Sequence, residues 1–190
     1  MLHIYTGKGK GKTTAAIGLA IRSLGAGHKV FFLQFMKSLA YSEQKVLRSF
    51  TPQLKLMTTG KPFFVAQEGM LSPDEKKKWG NDVVIFPPGK PPKDYVEMIA
   101  REFQSARCEI LAMQPDLLVL DEVNIALFFN LINQAEVEQL LAELPRKTEV
   151  VCTGRNAPQW LLEQADLVTE MQEIKHYYKK GIEARKGIEN

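Results

Sequence analysis

Thr6-Gly7-Lys8-Gly9-Lys10-Gly11-Lys12-Thr13-Thr14 decides the fold. The stretch follows a short β-prone run, Leu2-His3-Ile4-Tyr5, and opens an amphipathic run over 13–24. Ala16, Ile17, Leu19, Ala20, Ile21 and Leu24 are the apolar positions of that run, and Gly25 and Gly27 supply its stop. Strand, glycine-rich turn and helix in this order are the context a phosphate-binding loop requires. Glycines let the backbone curl until several N–H groups converge on phosphate oxygens. The helix start adds the positive end of its dipole. Gly7, Lys8, Gly9, Lys10, Gly11, Lys12, Thr13 and Thr14 are therefore the expected phosphate binders, with the Lys12 ammonium on a polyphosphate and the Thr13 hydroxyl toward Mg²⁺. Lys12, at the helix entrance, is expected to be open to solvent. The usual spacing asks for glycine where Thr6 stands, so the motif reads Gly-x-x-x-Gly-Lys-Thr, one step short. A dinucleotide fingerprint is excluded, because Gly7-x-Gly9-x-Gly11 is not Gly-x-Gly-x-x-Gly.

Outward from the loop, strands and helices alternate. Val30-Phe31-Phe32-Leu33-Gln34-Phe35 reads as a buried strand, and 42–50 as a helix with Ser42 as N-cap. A strand over 54–57 follows. Later come an amphipathic helix over 94–113 with Val96, Ile99, Phe103, Ala106 and Ile110 on one face, and a strand over 117–120 that ends at Asp121-Glu122. The last elements are a helix over 135–144 closed by Pro145, a strand over 149–153, a helix over 158–164 and a strand over 167–171. This alternation predicts an α/β fold: a doubly wound, mostly parallel sheet with helices on both faces, like that of the P-loop NTPases. Sites in such sheets lie at the carboxyl ends of the strands. Residues 61–93 break the rhythm. They hold six of the ten prolines and the run Lys76-Lys77-Lys78, and are expected to form an irregular insertion or lid within one domain spanning 1–190. The tail from about 175 is basic and glycine-punctuated.

Composition narrows the class. With 190 residues, 45% apolar and 25% charged, the chain is ordinary globular protein. Cys108 and Cys152 cannot build a disulfide scaffold or a zinc site, and are expected to be reduced, buried thiols. No stretch approaches the roughly 18 apolar residues of a membrane span. Polar Thr6 to Lys12 follows the first strand at once, so no export signal is expected, and the location is expected to be cytoplasmic. Residues 1–93 carry 15 Lys+Arg against 5 Asp+Glu, and residues 94–190 carry 10 against 17. A basic first half favours an anionic ligand or a nucleic acid there.

Behind a phosphate loop, a carboxylate on a neighbouring strand end is expected to serve Mg²⁺. Asp121-Glu122 fits, one carboxylate holding the ion directly and the other through water. Phosphoryl transfer also calls for arginines on the moving group and often a base. The first half offers only Arg22 and Arg48, Arg155 just past a strand end is better placed, and His3, His28 and His176 occupy no obvious catalytic setting.

Gly7-Lys8-Gly9-Lys10-Gly11-Lys12-Thr13-Thr14-Ala15-Ala16 resembles the phosphate loop of the P-loop-type ATP:corrinoid adenosyltransferases, which share the shortened spacing. The resemblance continues in order through Gln34-Phe35-Met36-Lys37, Leu120-Asp121-Glu122 and Thr153-Gly154-Arg155. It is most specific in Ala165-Asp166-Leu167-Val168-Thr169-Glu170-Met171, Lys175-His176, Gly181-Ile182 and Lys186-Gly187-Ile188-Glu189. It covers most of the chain except about 61–93.

This resemblance implies that the Co(I) of a reduced corrinoid attacks the ribose C5′ of ATP, inorganic triphosphate leaves and a Co–C bond forms. Co(I) has no proton to lose, which agrees with the lack of a base. In the family, ATP lies with its triphosphate turned around in the loop. By the same resemblance, Gly7 to Thr14 bind ATP, Lys12, Thr13 and Glu122 carry the catalysis, Thr13 and Glu122 hold Mg²⁺, and Asp121 stands behind them or acts through water. Lys37, Arg155 and Lys175-His176 fall in the neighbourhood of the site. The family's cobalt-facing aromatic pair, with Trp after a Thr-Gly step, has its counterpart in Thr59-Gly60-Lys61-Pro62-Phe63-Phe64, so Phe63 or Phe64 is expected to face the corrinoid. Family members often carry an N-terminal helical extension over that site, whereas Met1 here lies one residue before the first strand. The insertion is therefore expected to build the corrinoid cover, poorly ordered or lid-like without corrinoid. An electron-donating reductase and a homodimer are implied, and neither a membrane nor a nucleic acid is an expected partner. Two other readings differ by product. A phosphotransferase or ATPase makes ADP, and a non-catalytic nucleotide-binding module or nucleic-acid motor subunit binds without corrinoid-dependent turnover.

Overall fold

Val30–Phe35 is buried at all six positions, as a central parallel strand covered on both faces must be. In the computed structural model the described residues are 1–37, 41–61, 64–71, 73, 76–77, 83–182 and 184–189, with Phe64 given by its backbone. The elements are β1 (Leu2–Thr6), α1 (Lys12–Gly25), β2 (Val30–Phe35), α2 (Ser42–Arg48), β3 (Leu54–Thr59), β4 (Phe64–Gln67), β5 (Val83–Phe86), α3 (Lys93–Met113), β6 (Leu117–Asp121), α4 (Val123–Phe128), α5 (Gln134–Glu143), β7 (Glu149–Thr153), α6 (Gln159–Gln164) and β8 (Leu167–Glu170). Six strands form one sheet in the order β3-β2-β6-β7-β1-β8, every pair parallel. The doubly wound α/β expectation holds.

Successive side chains of a strand point to opposite faces, and the core divides accordingly. Val30, Phe32, Val119 and Val151 pack on one face with Ala16, Ala20 and Leu24, which recur every fourth residue of α1. Phe31, Leu33, Leu118 and Leu120 pack on the other with Ile99, Phe103 and Ile110 of α3 and with Val137, Leu140 and Leu161 of α5 and α6. The insertion of β6 and β7 between β1 and β2 brings the carboxyl ends of four strands side by side.

Four expectations need correction. Ser42 is the first helical residue of α2 and Tyr41 is the N-cap; the Gln44 side chain accepts the Tyr41 N–H at 3.2 Å, which moves the cap back by one. The stretch 61–93 is not irregular throughout: β4 and β5 pair in parallel as a second small sheet. Val65 and Phe86 seat it in the main core, with the Phe86 ring edge-on to Phe129 at 5.4 Å. Its prolines concealed two strands of only four residues each. Cys108 is exposed, because on α3 it falls off the Ile99–Phe103–Ala106–Ile110 stripe. Cys152 is buried as expected, and burial pushes its thiol up to about 12. Helix α4 was not expected at all, since Val123-Asn124-Ile125-Ala126-Leu127-Phe128 is too short and too uniformly apolar to show a helical period.

Two histidines take structural partners: His3 Nε2 lies 3.1 Å from a Glu149 carboxylate oxygen, and His28 Nδ1 lies 3.3 Å from the Ser23 hydroxyl. Among the described residues no helix is long and apolar enough to cross a membrane.

Phe103 has no exposed surface and meets Phe35 at 5.7 Å between ring centroids. Phe103→Ala is expected to cost about 3–5 kcal/mol in urea unfolding, as large-to-small core changes do. A loss below about 1 kcal/mol would show that α3 does not hold the sheet through this ring.

Candidate functional site

The phosphate loop lies flush against the segment that follows β8. Gly9 N–H donates to Met171 O at 2.6 Å, and a Cβ on Gly9 would meet Met171 O and Gln172 O, both at 2.7 Å. The backbone of this segment leaves no room for a side chain, so this glycine is required by close approach. Gly11, at φ 114, caps α1. A cleft of about 330 Å³ opens in front of the loop, lined by Lys8 to Thr14, Glu122 and Arg155, and walled by His176, Ile188 and Glu189 of the tail. A larger hollow of about 1240 Å³, beside Lys29, Phe50 and Leu54, sits at the amino ends of β2 and β3, away from the loop. Ligands of doubly wound sheets bind at the carboxyl ends.

Lys12 is not open to solvent. It is 7% exposed, and its ammonium donates to Gly7 O at 2.8 Å and to Gly9 O at 2.7 Å. The helix start buries the stem and folds the head onto its own loop. Burial pulls its pKa down, Glu122 offsets part of this, and Arg155 adds to the fall. Lys10, on the outer side, donates to Ile188 O at 3.1 Å and stands 3.9 Å from a Glu189 carboxylate oxygen. Glu189 is tied in turn to Tyr177 and Arg185. The tail thus closes over the loop as a wall.

Asp121 and Glu122 are adjacent in sequence and opposite in setting. Asp121 has no exposed surface, and its carboxylate accepts from four donors. Thr13 Oγ1 at 2.9 Å and Thr153 Oγ1 at 2.7 Å reach Oδ1, while Gln34 Nε2 at 3.1 Å and Lys37 Nζ at 3.0 Å reach Oδ2. Glu122 breaks from β6 at φ 64, caps α4 and turns its carboxylate toward the cleft. Burial and the neighbouring Asp121 raise its pKa, against the pull of Lys37, Lys12 and Arg155. Burial works against the Lys37 charge, yet Asp121, Glu122 and Glu43 together carry its pKa upward.

Of the residues expected at the site, Lys8 to Thr14, Glu122 and Arg155 line one cleft, Gly7 stands behind it as an acceptor of the Lys12 ammonium, and Asp121 joins Thr13 to Lys37. Phe63 lies outside the described residues, as does the side chain of Phe64. His176 reaches the wall. Its Nδ1 accepts the Tyr178 N–H at 3.1 Å. Sequence reasoning assigned no role to Thr153, Gln34, Gln44 or Glu189. Gln34 carried a readable signal, a lone amide inside an apolar strand, since a buried polar group needs a partner.

Lys8, Lys10, Lys12 and Arg155 around the Glu122 carboxylate, with Glu189 in the wall, suit a polyphosphate with a hard cation. Among the described residues no group of three or more His, Cys, Asp or Glu gathers into a metal cage. A Mg²⁺ shared between one or two protein oxygens and phosphates needs none.

A family model described as ATP:corrinoid adenosyltransferase BtuR/CobO/CobP matches residues 1–190. A corrinoid adenosyltransferase of Sinorhizobium sp is 34% identical over 192 residues, covering 100% of this chain and 79% of its own length. One of Pseudomonas aeruginosa is 33% identical over 195 residues, covering 100% and 83%. One of Escherichia coli K12 is 29% identical over 190 residues, covering 100% and 85%. Full-length agreement with these enzymes and a phosphate loop built against β6 and the tail lead to one conclusion: the chain belongs to the ATP:corrinoid adenosyltransferase family BtuR/CobO/CobP.

Proposed function

We propose that this protein transfers the 5′-deoxyadenosyl group of ATP to the Co(I) centre of a corrinoid. Co(I) gives an electron pair to C5′, the C5′–O5′ bond breaks, and triphosphate leaves with the released pair. The observation that carries the reading is a cleft rich in cations at the phosphate loop, in a chain of this family. A nucleophile without a proton needs no base. What it needs is a stabilised leaving group, an in-line C5′ and exclusion of water.

In this reading Lys8, Lys10, Lys12 and Arg155 neutralise the triphosphate, together with the amides of Gly7 to Thr14 at the start of α1. Thr13 gives its only hydroxyl proton to Asp121, so its lone pairs are free for a cation, and Glu122 offers the second oxygen ligand. These donors fit Mg²⁺, which Thr13 and Glu122 would hold, with Asp121 fixing the Thr13 hydroxyl. Bound there, Mg²⁺ supplies charge to the leaving triphosphate. Lys37 donates to Asp121 Oδ2 from the other side. We also propose an electron-donating reductase as the source of Co(I), a homodimer as the working assembly, a cytoplasmic location and a single domain over 1–190 whose stretch 61–93 lies nearest the corrinoid. Phe63 and Phe64 are the proposed corrinoid-facing aromatics.

The test of the reaction is incubation with ATP, Mg²⁺ and chemically reduced corrinoid. A light-sensitive Co–C product and triphosphate in equal amounts are expected, and both should fall when EDTA removes Mg²⁺. ADP without a Co–C product would overturn the reading in favour of phosphoryl transfer. Lys12→Ala is expected to lower kcat/KM by about 10²–10³-fold, the scale of one lost transition-state charge contact. The variant should also be less stable, because Gly7 O and Gly9 O lose a charged donor. Unchanged kcat/KM would remove Lys12 from the mechanism. Replacing Phe63 and Phe64 together by Ala should slow turnover when cobalt enters as Co(II) with a reductase, and slow it less when Co(I) is supplied ready-made. Equal losses in the two assays would reduce the pair to packing.

A further inference from the structure

Thr153 ends β7 with no exposed surface, and its hydroxyl joins both acidic residues of the site. It accepts the backbone N–H of Glu122 at 2.9 Å and donates its one proton to Asp121 Oδ1 at 2.7 Å. The strand register makes this contact possible: Leu120 lies beside Cys152, so the next residues, Asp121 and Thr153, emerge together at the sheet's carboxyl edge. On the far side Gln34 lies in register with Asp121, and its amide, donated to Oδ2, is itself held by Gln44 Nε2 at 2.9 Å. The following step grips the other half of the pair. Gly154 has φ 128, and a Cβ there would sit 3.2 Å from Glu122 Oε2 and 3.1 Å from Asn124 Cβ. Asn124 Nδ2 donates to Gly154 O at 3.0 Å.

We propose that Thr153 is a positioning residue for the cation–nucleotide site: its hydroxyl sets the Glu122 backbone and the Asp121 carboxylate in one geometry, and through Asp121 the orientation of the Thr13 hydroxyl. This deepens the function proposed above and rests on it for the identity of cation and nucleotide. The direction of the bonds carries the argument. Thr13 and Thr153 each have one proton, and both spend it on Asp121 Oδ1. Thr153 takes the Glu122 N–H on a lone pair, so Glu122 stays anchored at φ 64 with its side chain toward the cleft. Thr13 keeps its lone pairs for a cation. Without the Thr153 hydroxyl, the Glu122 N–H loses its acceptor and Oδ1 loses one of two donors. The Thr13 hydroxyl and the Glu122 carboxylate are then no longer held in a common frame. Outer partners of this kind govern the affinity of the ligands they orient.

The experiment compares Thr153→Val, which keeps the shape and removes the hydroxyl, with Thr153→Ser, which keeps the hydroxyl and removes the methyl. Binding of ATP is titrated calorimetrically in EDTA and across a Mg²⁺ series, and kcat and KM are taken from the adenosylation assay. For Thr153→Val the Mg²⁺ concentration giving half-maximal ATP binding should rise about 10-fold or more, with ATP binding in EDTA unchanged within about twofold. Thr153→Ser should stay within about threefold of wild type. An unshifted Mg²⁺ dependence in Thr153→Val would overturn the proposal. So would an equal loss with and without Mg²⁺, or a serine variant no better than valine, since either result means packing alone. Should valine fail to fold, Thr153→Ala against Thr153→Ser poses the same contrast. Failure of the wild type to form a Co–C product would sink the function while leaving the binding comparison readable.

Discussion

A carboxylate with no exposed surface is the constraint on which this site depends. Taking a carboxylate out of water costs several kcal/mol unless hydrogen bonds and charge replace its hydration. Asp121 meets that demand with four donors from four segments: the start of α1, the end of β2, the residue that closes β7, and Lys37. Removing any one of these segments leaves a buried charge short of partners. The phosphate loop, the central strands and the chain after β2 are therefore held in a single arrangement by one side chain. Gln44 extends the network into α2, so the polar centre continues past the sheet.

The same logic separates the two acidic residues. Asp121 sits inside the β6 register and is saturated by protein donors, which suits it to orient and not to exchange ligands. Glu122 has left the strand, and both its burial and its neighbour oppose its charge. A carboxylate in that position gains from an added cation, and this is the electrostatic reason the pair can divide its work. Lys37 pairs with the buried member and, with Lys12 and Arg155, also favours the charge of the outer one.

Cations at the loop are held by acceptors of the protein itself. Lys12 rests on two loop carbonyls, and Lys10 on the tail. The triphosphate of the proposed reaction would compete with these contacts, so its affinity would be a difference and not a sum of attractions. The tail wall also gives the last residues of the chain a place at the site, through Ile188 and Glu189.

Much of this was legible in the residues alone. Gly7 to Thr14 between a β-prone run and an amphipathic run dictated strand, loop and helix, because glycine and the Lys-Thr pair leave few other local structures. Apolar runs such as 30–33 and 117–120 dictated parallel strands, since both faces must be covered. Asp121-Glu122 at a strand end pointed to the acidic side of the cleft. Local pattern failed where contacts are distant. It could not tell that Lys12 turns back and is buried, or that β4 and β5 find each other across a proline-rich stretch. Nor could it tell that Thr153 stands beside an acid 32 positions earlier, or that Glu189 returns to Lys10. Periodicity reports which face of an element is apolar. Strand order and register alone decide which polar ends meet at the edge of the sheet, and that meeting makes the site.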